Sequence, residues 1–98
     1  MLTFEMVLVV LKDFLDDDDM YEIVMTSHGY TVMEWDGRLG DWADSKLCKT
    51  PQDMADILLS GYEGYLEYQA THGDRELTED DLTQVKEKRQ IMVAKLQQ

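Results

Sequence analysis

Four consecutive aspartates, Asp16–Asp19, form the densest group of chemically capable side chains in the sequence, within LKDFLDDDDMYEIV. Clustered carboxylates suit three chemistries: holding a metal, general acid–base work, or attracting a cation. A calcium loop needs oxygen ligands at alternating early positions and a glycine at its sharp turn. Counted from Asp16 or from Asp17, the fifth position falls on Met20 or Tyr21, and no glycine follows. The soft ligands are His28, His72 and Cys48, which lie in separate connectors with no zinc-site spacing. No nucleophile elbow or Cys-His pattern occurs, and DGRLG, residues 36–40, lacks both the spacing and the lysine of a phosphate loop. The residue types therefore assign no catalytic residue, no metal ligand and no cofactor. They predict a non-enzyme and leave attraction of a cationic partner as the chemistry of the tract.

The charge balance of the whole chain points the same way. The 98 residues hold 21 acidic and 9 basic side chains, a net charge of −12. Residues 1–81 hold 20 acids against 5 bases, whereas residues 82–98 hold Glu87 against Lys86, Lys88, Arg89 and Lys95. An acidic body thus precedes a mildly basic end. Nucleic-acid phosphates and anionic membrane surfaces both require clustered Lys and Arg, so neither is expected as a direct partner. A single cysteine, Cys48, forms no intramolecular disulfide and fits a reducing compartment. The first residues, MLTFEMVLVVLK, lack a basic start and carry Glu5 inside the apolar stretch, unlike a signal peptide. The run from Met6 to Leu11 is far too short to span a bilayer. A cytoplasmic location is the expectation.

The length makes one domain, residues 1–98. Phe4, Val7, Leu8, Leu11, Phe14 and Leu15 recur at helical spacing and predict a helix over 4–15, with Thr3 as its N-cap. Aspartates oppose the negative end of the helix dipole, so the helix should stop near Leu15 or Asp16. YEIVMT (21–26) and YTVMEW (30–35) predict a β-hairpin around a three-residue Ser27-His28-Gly29 loop. That register places Tyr21, Ile23, Met25, Met33 and Trp35 on the face that meets the helices. WADSKLC (42–48) alternates weakly and suits a third strand. Thr50-Pro51 opens a helix over 51–71, with Asp53 placed to return a bond to the cap. Gly73 follows as its C-terminal cap. Gly61 and Gly64 inside that helix suit either close packing or a kink that presents Tyr62, Tyr65 and Tyr68. Thr78 caps a last helix reaching residue 98, striped by Leu82, Val85, Met92 and Leu96, with Arg89 interrupting the stripe. The expected fold is α+β in the order α-β-β-(β)-α-α: a β-hairpin or three-stranded antiparallel sheet against about three helices.

Among these elements the candidate partner-binding acids are Asp16, Asp17, Asp18, Asp19, Asp41 and Asp44, each taken to lie in a predicted connector. The candidate aromatic anchors are Tyr30, Trp42 and Tyr68, because aromatic side chains dominate binding energy at interfaces. In physical type the chain resembles small acidic phage and mobile-element proteins, some of which inhibit nucleic-acid enzymes by occupying their basic clefts. No motif carries that likeness. The expected function is a non-enzymatic module that mimics nucleic-acid charge and occupies a basic surface of a nucleic-acid-binding protein. The alternative is a structural domain that self-associates as a homodimer through Leu82, Val85, Met92 and Leu96.

Overall fold

A computed structural model describes residues 1–97. Its elements are α1 (Phe4–Val10), α2 (Lys12–Asp17), β1 (Tyr21–Thr26), β2 (Gly29–Asp36), β3 (Asp41–Leu47), α3 (Pro51–Thr71) and α4 (Glu79–Leu96). The three strands form one antiparallel sheet in the order β1-β2-β3. The architecture is the expected α+β, with the third strand formed. Gln98 lies outside the described residues, and α4 ends at Leu96.

Local chemistry sets the helix boundaries. Thr3 Oγ1 accepts the Met6 N–H at 3.1 Å and starts α1. The predicted helix over 4–15 is present as two segments meeting at Leu11, whose backbone (φ −97°, ψ 10°) leaves the helical range. The i to i−4 bonds continue through the bend, from Leu11 N–H to Val7 and from Leu15 N–H to Leu11, each at 3.0 Å. The helix runs to Asp17, one residue past the expected stop; Asp16 there pairs with Lys12, and Asp17 accepts a hydrogen bond from the Tyr65 hydroxyl. Thr50 Oγ1 accepts the Asp53 N–H at 3.1 Å at the head of α3, beside Pro51. The reciprocal side-chain bond expected there forms instead on α4, where Asp81 Oδ2 accepts the Thr78 N–H at 2.9 Å. At the end of α3 the left-handed cap begins at His72 (φ 52°), one residue before Gly73 (φ 74°).

The hairpin departs from its expected register. Met25 pairs with Tyr30 and Thr26 with Gly29, so the connection is the two residues Ser27 and His28. Thr26 closes it: its hydroxyl donates to the Gly29 carbonyl at 3.0 Å and accepts the His28 N–H at 3.1 Å. One residue less in the loop turns the whole of β2 over. Tyr21, Ile23, Tyr30 and Val32 therefore face the helices, whereas Met33 and Trp35 share the outer face with Trp42 of β3. The rings of Trp35 and Trp42 meet edge to face at 5.1 Å.

The core joins α1, α2, α3, the end of α4 and the near face of the sheet. Val7, Leu11, Met54, Ala55 and Leu58 are fully buried at its centre, with Phe14, Val32, Cys48, Leu59 and Leu96 around them. Arg89, the interruption in the stripe of α4, lies 2.6 Å from Glu63 of α3 through Nε, without hydrogen-bond alignment. β3 forms one edge of the sheet, and every one of its residues is exposed. The molecule is flattened, with extents of 43 × 38 × 18 Å.

Candidate functional site

Phe14 is the hub that positions the site. Its ring lies 6.0 Å from that of Tyr21, 5.4 Å from Tyr62 and 5.2 Å from Tyr65, centre to centre. This cluster, with Phe14 buried and the three tyrosines half-buried, fixes the start of β1 and the middle of α3 against the end of α2. Tyr65 then reaches across to donate its hydroxyl to Asp17. That bond to a carboxylate, aided by burial, pushes the Tyr65 hydroxyl up to about 12, so it remains a neutral donor at physiological pH. Burial likewise raises Tyr21 and Tyr62 above the ordinary tyrosine value.

Two grooves open beside this cluster. The first, about 530 Å³, lies between the α2–β1 junction and α3. Asp17, Asp18, Met20 and Tyr21 line it from the α2–β1 side, and Ser60, Gly61, Gly64, Tyr65, Tyr68 and Gln69 line it from α3. The second, about 450 Å³, lies between the near face of the sheet and α3. Glu34, Asp44 and Asp56 line it with a single cation, Lys46. Tyr21, Ser60 and Gly61 border both grooves. Together they place five carboxylates and one ammonium along one side of α3.

The two helix glycines serve different ends. A Cβ on Gly61 would come within 2.7 Å of the Tyr21 ring, so this glycine permits the ring to lie directly on α3. A Cβ on Gly64 would meet nothing within 4 Å. The helix is unbroken through both.

The predicted site residues scatter. Asp17 and Asp18 line the first groove with Tyr68, and Asp44 lines the second. Asp18 also accepts the Met20 N–H at 3.0 Å and so shapes the turn into β1. Asp16 and Asp19 are exposed outside the grooves, as is Asp41 at the start of β3. Tyr30 is half-buried, its ring 4.9 Å from that of Phe4, so it packs within the fold instead of standing free. Trp42 lies on the outer sheet face with its Trp35 neighbour. Sequence reasoning missed Tyr21, Glu34 and Asp56. A signal for Asp56 exists in the row Asp56, Ser60, Gly64 and Tyr68, at spacing i, i+4, on the side of α3 away from its buried leucines.

Among the described residues, no three His, Cys, Asp or Glu side chains gather so as to hold a metal ion. No helix among them is long and apolar enough to cross a membrane. No family model, curated protein or solved structure matches the chain.

Proposed function

We propose that this chain is a non-enzymatic acidic binding module that seats a basic surface of another protein along α3. The observation that carries the reading is the pair of adjoining grooves, where five carboxylates face one ammonium. Complementary fields of this kind steer encounter and select partners, while aromatic surface such as Tyr68 supplies contact area. In its narrower form the basic surface belongs to a nucleic-acid-binding protein and the carboxylates stand where phosphates would. The net charge of −12 supports that form.

The alternative of self-association through α4 finds its surface engaged within the chain. Val85 and Leu96 are buried and Met92 is packed against the core, which leaves Leu82 exposed.

The test uses the immobilised protein with a heparin-retained extract, beside two variants: Asp16–Asp19→Asn, and Asp17→Asn with Asp44→Asn and Asp56→Asn. A specific protein should be retained by wild type, released by rising salt, displaced by added duplex DNA, and held less by the groove variant. Retention that ignores both salt and the groove substitutions would refute the module.

A further inference from the structure

Gly64 is the residue that the fold does not explain. Glycine is the most costly helix-interior residue short of proline. Gly61 has a packing reason, since the Tyr21 ring rests on it; Gly64 has none among the described residues. Glycine without such a reason suits a place where another group must come close to the backbone. Gly64 lines the first groove together with Tyr21, Tyr65 and Tyr68, and the charged residues of that lining are Asp17 and Asp18. Each of these carboxylates uses one oxygen within the fold: Asp17 Oδ2 for the Tyr65 hydroxyl and Asp18 Oδ1 for the Met20 N–H. Their other oxygens have no hydrogen-bond donor among the described residues.

We propose that this groove receives an arginine side chain of the partner protein, its stem passing over Gly64 and its guanidinium reaching Asp17 and Asp18. The proposal rests on the reading of the chain as a module for basic proteins, and it names the side chain recognised. Arginine fits better than lysine on two counts. A guanidinium is flat and stacks on tyrosine rings, and its fork of N–H donors serves two carboxylates at once. An ammonium is a strongly hydrated point charge that gains less from either feature. Tyr65 contributes as a neutral donor that holds Asp17 in the groove lining.

The experiment is an NMR titration of the ¹⁵N-labelled full chain with three blocked tripeptides, acetyl-Gly-X-Gly-amide, where X is arginine, lysine or its neutral isostere citrulline. The arginine peptide should shift the amides of Met20, Gly61, Gly64 and Tyr65. Citrulline should bind about tenfold more weakly or not at all, because the charge-assisted bonds are lost, and lysine should also be weaker. Gly64→Leu, at a helix position open to solvent, should keep the wild-type spectrum elsewhere and abolish the arginine shifts. Tyr68→Ala should weaken them. Equal binding of arginine and citrulline, shifts confined to the second groove, or wild-type binding by Gly64→Leu would each overturn the assignment. If the arginine peptide fails while the whole protein still retains a basic partner through salt-sensitive contacts, the groove assignment alone falls. Loss of both removes the acidic-module reading with it.

Discussion

Gly61 and Gly64 stand three positions apart on one helix and answer to different neighbours. In the interior of a helix, alanine is favoured over glycine by about 1 kcal/mol. At position 64 the added methyl meets open space, so Gly64→Ala should raise unfolding stability by about 0.5–1 kcal/mol in urea titration. At position 61 the methyl requires the Tyr21 ring to move off α3, which loosens its contact with Phe14. Gly61→Ala should therefore be the less stable of the two by about 1 kcal/mol or more. Equal gains in both variants would show that the Tyr21 ring is not held against the helix. The aspartate tract also resolves residue by residue. Asp17 and Asp18 have structural partners and groove positions, Asp16 pairs with Lys12, and Asp19 projects into solvent. Four identical letters thus do three different things, which no pattern of letters could separate.

At the scale of the element, α4 is latched at its first turn. Asp81 accepts from the Thr78 N–H, receives both terminal nitrogens of Arg75, and lies in the first turn, where a negative charge is favoured. Arg75 above all, with the Thr78 N–H next, holds the Asp81 carboxyl well below the usual carboxylate range. A carboxyl depressed in the folded state lends stability that is present above its unfolded value, about 4, and is lost as pH falls towards the folded value. Asp81→Asn should therefore be less stable than wild type at neutral pH, and the gap should narrow progressively below about pH 4. A constant gap from neutral pH into that acid range, in denaturant melts, would contradict the latch. The hairpin is the other instructive element. Both strands were legible from their alternation of side chains, but the register was not. Ser27-His28-Gly29 is compatible with loops of either length; the shorter one lets the Thr26 hydroxyl bond to Gly29 and His28 and turns Val32 into the core. The consequence is large: Trp35 and Met33 move to the outer face, and Val32 enters the core.

Over the whole molecule, repulsion outweighs attraction. Among the described residues four ion pairs occur, Lys12–Asp16, Arg38–Asp36, Arg75–Asp81 and Arg89–Glu63. Lys12–Asp16, exposed on both sides, contributes little, and the Arg75–Asp81 latch offsets only one of the surplus acids. The net charge of −12 acts against the compact state, and dissolved salt screens it. Raising NaCl should therefore raise Tm, by about 4 °C or more for each ~1 kcal/mol of repulsion removed from a domain of this size. A Tm that falls with salt would mean that the few ion pairs matter more than the surplus of acids. The same surplus gives the proposed module its reach towards a basic partner, so folding and binding should respond to salt in opposite directions.

The sequence by itself determined the kind of each element, most of its boundaries and the charge of the surface. Periodicity, caps such as Thr50 and Thr78, and net charge depend on neighbours within a turn or two, or on composition alone. Only the tertiary structure decided which residues share a face and which stand together at a groove. Phe14 brings the α2–β1 junction to the middle of α3, so Asp17 meets Tyr65 across 48 positions of chain. The sheet carries Glu34 and Asp44 to Asp56 through the pairing of β2 with β3, which sets those two residues opposite each other. Such contacts follow from how apolar faces close on one another. A single-residue slip reverses every side chain of a strand, and local pattern does not hold that information.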